Sequence, residues 1–256
     1  MATTVWNPGL YTQNHNFVFQ YGAALVEVLA PQTGERILDV GCGTGELTYQ
    51  ISEAGAKVIG IDSSEALITT ARRQFPHLTF HHQDATQLSD VQLYDAVFSN
   101  AVLHWILDQP TVTEKMYQAL RPGGRLVVEL GGEGNVRQIT DALKTTLLHH
   151  GYDRQANIDL WYFPSVGQYT SLLERQGFRV QGAWHFARPT RLADTDRGIR
   201  DWLAMFAGAY LEAIPSEEQE LIMKETQERL RPKLYRDQHW YADYQRLRVT
   251  ATRPAL

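Results

Sequence analysis

Between residues 39 and 46 the chain reads Asp-Val-Gly-Cys-Gly-Thr-Gly-Glu, with glycines at 41, 43 and 45. Glycines at that spacing let the backbone take positive φ and let a ligand approach the main chain closely. An apolar run precedes the segment and a helical pattern follows it, so it reads as a turn from strand into helix, where unpaired N–H groups gather. The order of residues narrows the ligand. A dinucleotide fingerprint, G-x-G-x-x-G, needs glycine at position 46, and this chain has Glu46, whose charge would repel a pyrophosphate. A ligand with adenosine but no phosphate fits better, particularly one bearing a positive charge.

Two further carboxylates fall where such a ligand needs them. Asp62 stands at the end of the next apolar run, 21 positions after Gly41; an acidic residue about 20 residues on is where a doubly wound fold grips ribose hydroxyls. Asp84-Ala85 follows the third run, and there a carboxylate can accept from an adenine amino group while the Ala85 N–H donates to a ring nitrogen. Both acids also suit humbler roles, Asp62 as a cap for the helix after Ser63-Ser64 and Asp84 as a turn residue. His104 is the first candidate for a general base, because an imidazole titrates near neutrality. It suits a packed helical position equally well. Arg188 and Arg191, on either side of Pro189, can pair with a carboxylate through their planar guanidinium groups or simply face solvent. Tyr11, Trp202 and Tyr210 can line an acceptor pocket, although aromatics at helical spacing are more often core.

These residues need elements to hold them. Short apolar runs at 37–40, 58–61, 78–82, 95–100 and 125–130 alternate with helical segments, which argues for crossover units and a mostly parallel sheet with helices on both faces. Phe17, Tyr21, Ala24, Leu25, Val28 and Leu29 predict one face of a helix that ends before Pro31. Strands are expected at 178–186 and 244–252, with some fifty helical residues between them. There Ile199, Trp202, Leu203, Phe206 and Tyr210 share a face, and Ser216 with Gln219 forms a capping-box pattern. Such a long connection reads as a helical cap inserted over the ligand crevice at about 187–240, joined by an N-terminal cap helix at about 1–30.

Composition excludes several classes. With 43% hydrophobic residues the chain can bury a large core. No run approaches a membrane span, and the first residues lack a basic segment followed by an apolar one, so the expected compartment is the cytoplasm. Cys42 is the single cysteine and the nine histidines show no ligand spacing, so no metal is expected. A net charge of −5 makes nucleic acid a poor partner.

Taken in order, LDVGCGTG, VIGID, HHQDA, YDAVFSNAVLHWI and LRPGGRLVVE resemble the successive motifs of the class I S-adenosylmethionine-dependent methyltransferases. The resemblance implies a Rossmann-like, doubly wound α/β fold with a seven-stranded sheet whose last strand is antiparallel. It implies that Gly41, Gly43 and Gly45 contact the methionyl portion of the cofactor, Asp62 the ribose, and Asp84 and Ala85 the adenine, with Asp39, Ser63 and Asn100 completing the set. The opening Trp6-Asn7-Pro8…Tyr11, the stretch Asn100-Ala-Val-Leu-His104-Trp105 and the late helical insertion are most similar to the small-molecule carboxylate O-methyltransferases around trans-aconitate methyltransferase. That group often has glutamine where this chain has His104. After Asn100 the chain lacks the N/D-P-P-Y/F sequence by which amino methyltransferases hold a planar nitrogen. The implied reaction is methyl transfer to a small molecule, best read as a carboxylic acid methylated on oxygen. A carbon-methylating or cyclopropane-forming enzyme on an apolar acceptor, and a non-catalytic binder of the same cofactor, stay open.

Overall fold

A computed structural model describes residues 16–255. Its elements begin with helix α1 (Asn16–Leu29), β1 (Arg36–Val40), α2 (Glu46–Ser52), β2 (Lys57–Asp62), α3 (Glu65–Gln74), β3 (Thr79–His82) and β4 (Tyr94–Asn100). There follow α4 (Gln109–Ala119), β5 (Leu120–Gly131), α5 (Arg137–His149), α6 (Asp153–Ala156), α7 (Val166–Arg175) and β6 (Arg179–Arg191). The last elements are α8 (Gly198–Phe206), α9 (Gly208–Leu211), α10 (Ser216–Leu234), β7 (Tyr235–Arg236) and β8 (His239–Thr252). The strands run in the order β3-β2-β1-β4-β5-β8-β6, and the two-residue β7 pairs with β8 beside that seven-strand path. Strands β1 to β5 run parallel to one another, and β8 runs antiparallel to β5. The expected doubly wound fold is present. Among the described residues no helix is long and apolar enough to cross a membrane.

Burial on both faces explains why the strands read as nearly continuous apolar runs. Leu38, Val40, Val97, Leu126 and Val128 enter one buried cluster, with Met116 and Leu172. Their sequence neighbours Ile37, Phe98 and Val127 enter the other, with Leu25, Leu29 and Ile51. Each such side chain, fully buried, contributes about 1.5–3 kcal/mol. Helix α1 therefore packs on the sheet through Leu25, Val26 and Leu29, which are core residues where a cap was expected. Its buried face is also turned from the expected one: Leu25, Val26 and Leu29 are inside, whereas Ala24 and Val28 are exposed.

The chain divides into two compact units. The larger holds the described residues through Glu133, Trp161–Phe186, and Arg246 onward. The other holds Gly134–Leu160 and Ala187–Gln245, so it takes in α5 and α6 as well as the expected insertion. Within it Trp202, Leu203, Phe206, Ile222 and Leu230 are buried, α5 packs on α10, and the indole N–H of Trp202 donates to Tyr244 Oη at 2.8 Å. Two details differ from expectation. The helix carrying Ile199 to Phe206 stops at Ala207, so Tyr210 lies on the short α9 instead of the same helix. The expected capping box at α10 does not form: the Gln219 side-chain amide donates to the carbonyls of Leu211 (3.1 Å) and Ile214 (2.8 Å), tying down the preceding turn. A reciprocal capping box forms instead at α7, between Ser165 and Gln168.

Candidate active site

The strand order reverses beside β1, whose neighbours are β2 and β4, and a crevice outside the carboxyl ends of strands opens at such a switch point. The glycine loop leaves β1 there. The N–H groups of Gly41 and Cys42 both donate to the carbonyl of Ile61 (2.8 and 3.0 Å), which folds the loop across the end of β2. Its three glycines have positive φ, for different reasons. A Cβ on Gly41 would lie 2.3 Å from the methyl groups of Val102, and one on Gly45 would lie 2.8 Å from the Phe80 ring. A Cβ on Gly43 would meet no protein atom within 4 Å. Packing demands the outer two; the middle one faces open space.

Carboxylates surround this loop. Asp62 Oδ2 accepts from the Gly43 N–H at 3.0 Å and Oδ1 from the Ser64 N–H at 2.8 Å, so it fixes the glycine loop and the start of α3 together. Burial raises its pKa, while those two hydrogen bonds draw it back. Asp39, 2% exposed, accepts from the Thr48 hydroxyl at 2.6 Å. Burial pushes its pKa up to about 7, with the charge of Asp62 adding to the effect. Glu46 accepts from Thr44 Oγ1 at 2.6 Å. The Cys42 thiol is held well above its usual range by burial and then by the charges of Asp39, Asp62 and Glu46. A negative potential of this kind selects a cation.

The other cofactor candidates end the same parallel strands. Ser63 is exposed and its carbonyl accepts from His82 Nε2 at 3.0 Å; the cap of α3 is Ser64, whose hydroxyl accepts from the Leu67 N–H. Asp84 Oδ1 accepts from the backbone and the hydroxyl of Thr86 at 2.8 Å each, in a short 3₁₀ turn at Ala85–Gln87 in which Ala85 is buried. Asn100 closes β4 beside α1: a Cβ on Gly22 would come within 3.1 Å of its Nδ2. Asp39, Gly41, Gly43, Gly45, Asp62, Ser63, Asp84, Ala85 and Asn100 thus share one edge of the sheet.

Beyond Asn100 the chain forms a 3₁₀ turn at Leu103–Trp105. The side-chain amide of Gln109 donates to the carbonyls of Leu103 (2.6 Å) and Ile106 (2.5 Å) and fastens that turn. His104 is 6% exposed, and its Nδ1 accepts from the Gly131 N–H at 3.2 Å. Burial, with the positive charge of Arg246 second, holds its pKa well below the ordinary value. It is a neutral imidazole with Nδ1 already engaged. Its ring and that of Trp105 lie against a segment that the motifs do not mark: His104 to Phe163 is 5.7 Å, Trp105 to Trp161 is 5.5 Å edge-on, and Trp161 stacks on Phe163 at 5.7 Å. Three consecutive aromatics at 161–163 were the available signal. Arg246, 6% exposed and paired across the sheet with Gly131, was legible as the charged position in the buried alternation Trp240, Ala242, Tyr244 of β8.

The described acceptor candidates belong to the other compact unit. Arg188 is half-buried and Arg191 exposed at the end of β6. Trp202 and Tyr210 are 4% and 3% exposed within the helical unit, where Lys144 sits 6.0 Å over the Tyr210 ring. Burial raises the Tyr210 hydroxyl pKa to about 12. Both are buried in that unit. Tyr11 lies outside the described residues.

Residues 37–124 match a methyltransferase domain family. An uncharacterized methyltransferase of Schizosaccharomyces pombe is 32% identical over 264 residues, covering 98% of this chain and 99% of that one. A trans-aconitate 2-methyltransferase of Methylobacterium radiotolerans is 34% identical over 206 residues, 77% of this chain and 78% of that one. In fold, the chain is similar to phosphoethanolamine N-methyltransferase 2 of Haemonchus contortus, solved with phosphomonomethylethanolamine and S-adenosylhomocysteine. The TM-score is 0.60 at 18% identity, covering 97% of this chain and 57% of that one.

Proposed function

The chain belongs to the class I S-adenosylmethionine-dependent methyltransferases, and from that premise we propose that it methylates a small carboxylic acid on oxygen. When bound, S-adenosylmethionine supplies a methyl group already activated on a sulfonium. The residues present fit it: open space at Gly43, a carboxylate at the end of β2 and negative charge around the loop. In this reading Gly43 lets the methionyl chain lie on the backbone, and Asp39 and Glu46 balance its positive charge. Asp62 accepts from the ribose with Ser63 beside it, Asp84 and Ala85 face the adenine, and Asn100 borders the methionyl end. The protein's work is then to align acceptor oxygen, methyl and sulfur and to exclude water.

One observation carries the choice of acceptor. His104, the candidate base that follows Asn100, is neutral, buried and hydrogen-bonded through Nδ1, so it is poorly placed to take a proton. A carboxylate needs no base because it is already an anion. The relatives named trans-aconitate 2-methyltransferase support the same class. His104→Asn, which keeps an acceptor for the Gly131 N–H, should therefore hold kcat within about threefold, whereas loss of a general base removes about 10²–10⁴. A larger fall in kcat at unchanged acceptor KM would restore His104 as the base.

The direct test is S-adenosylhomocysteine release across carboxylates, phenols, amines and fatty acyl species, with the product tested for a base-labile methyl ester. Turnover on acids alone is expected. Turnover confined to a phenol, an amine or a lipid would overturn the reading. The half-buried rings of Trp105, Trp161 and Phe163 are the observation that favours the apolar-acceptor alternative.

A further inference from the structure

Asp84 and Ala85 follow β3, the shortest strand of the seven-strand path. It has four residues, three of them exposed, and it stands at the end of the strand order, so among the described residues β2 is its one ladder partner. An edge strand this short frays unless side chains hold it. Arg72 of α3 does so upstream, donating from Nε and Nη2 to the Phe80 carbonyl at 3.1 and 2.7 Å. Downstream, the Gln83 N–H donates to the Asp62 carbonyl at 2.9 Å.

His82 makes a third tie, and its place is telling. It is the register partner of Asp62 in the parallel pair, and its Nε2 lies 3.0 Å from the Ser63 carbonyl oxygen. A carbonyl oxygen only accepts, so Nε2 carries a proton and donates it. Ser63 stands between Asp62, whose carboxylate holds the N–H groups of Gly43 and Ser64, and Ser64, whose hydroxyl caps α3. The His82 bond therefore ties the end of β3 to the turn after β2. Burial raises the Asp62 pKa; its bonds from Ser64 and Gly43 and, last, the charge of the nearby His82 oppose that rise.

Adenosine, in the donor site read above, spans this junction. Its ribose meets Asp62 at the end of β2, and its base meets Asp84 and Ala85 beyond the end of β3. Two contacts on separate strands act together only when their separation is held in advance. Resting on that reading, we propose that His82 is a positioning residue for S-adenosylmethionine: by holding the Ser63 carbonyl it fixes Asp62 in register with Asp84 and Ala85.

Titration calorimetry on the full chain, with S-adenosylhomocysteine and with adenosine, tests this. His82→Ala should weaken both ligands by the same factor, about three- to tenfold, the worth of one hydrogen bond. His82→Gln, whose Nε2 can reach the same carbonyl, should restore affinity to within about twofold of the wild type. In an Asp62→Ala background the His82→Ala change should cost less than about twofold, because a residue that acts through the ribose contact loses its effect when that contact is gone. A merely structural role would keep its full cost there. Wild-type affinity in His82→Ala, a loss confined to S-adenosylhomocysteine, no recovery in His82→Gln, or an undiminished loss in the Asp62→Ala background overturns this inference and leaves the donor site standing. Wild-type affinity in Asp62→Ala itself overturns the reading of the donor site and this inference with it.

Discussion

Gly43→Ala should fold almost as well as the wild type and bind S-adenosylmethionine at least tenfold more weakly. Its φ of +57° costs an alanine about 1–2 kcal/mol, but the added methyl touches no protein atom within 4 Å. The methyl would occupy the space assigned to the ligand. Gly34→Ala is the matched control, since Gly34 also has positive φ (+85°) and open space around it, but no role in the site. Both variants should lose a few degrees of Tm, and only Gly43→Ala should lose affinity. Gly41→Ala is different in kind. There the methyl would meet Val102 at 2.3 Å, and overpacking of about 1–3 kcal/mol adds to the backbone strain. Stability and binding should fall together. Equal donor affinities for Gly43→Ala and Gly34→Ala, measured by calorimetry, would remove the loop from the binding site.

The second large effect is expected at Asp62. Its two carboxylate oxygens accept from Gly43 and Ser64, so Asp62→Ala strips the support from two N–H groups as well as the acceptor offered to the ribose. A charge-assisted bond is worth about 1.5–3 kcal/mol, which corresponds to roughly ten- to a hundredfold in affinity. Substrate and product share the ribose, so both should weaken together. Asp62→Asn should be nearly as harmful, because its amide nitrogen would turn a donor toward an N–H. Wild-type affinity for S-adenosylhomocysteine in either variant would take Asp62 out of the site.

The sheet and its glycine loop were legible because they depend on local pattern. Apolar runs bounded by turn residues mark strands buried on both faces, and the spacing from Gly41 to Asp62 is set by one crossover. What failed to show in sequence depended on which long-range partner a residue finds. Gln219 carries the spacing of a capping box, yet two carbonyls from the preceding turn claim its amide. Leu25 and Leu29 lie at the expected helical spacing, yet the sheet takes the face that includes Val26 and leaves Ala24 out. His104 looked reactive because of its residue type; only the fold places Gly131 against its Nδ1 and Arg246 nearby. Trp161 lies 56 positions beyond Trp105, so no periodicity links them. Trp202 and Tyr210 carried a genuine apolar pattern, and both are buried in the helical unit, where the Trp202 indole N–H finds Tyr244.

Asp39 gives the catalytic cycle a proton to account for. A buried carboxyl poised at about pH 7 is ionised in only part of the population near neutrality, and a cation beside it tips it toward the carboxylate. Under the proposed binding, donor association therefore expels protons into the buffer, and donor affinity climbs as pH rises through neutrality. Methyl transfer then erases one positive charge, because a sulfonium becomes a neutral thioether. With that charge gone, Asp39 would be less favoured as a carboxylate and would recover its proton as the product leaves. Inhibition by the product should accordingly weaken, relative to donor binding, on the alkaline side of neutrality, so that the buried acid acts as a ratchet clearing the site between turnovers.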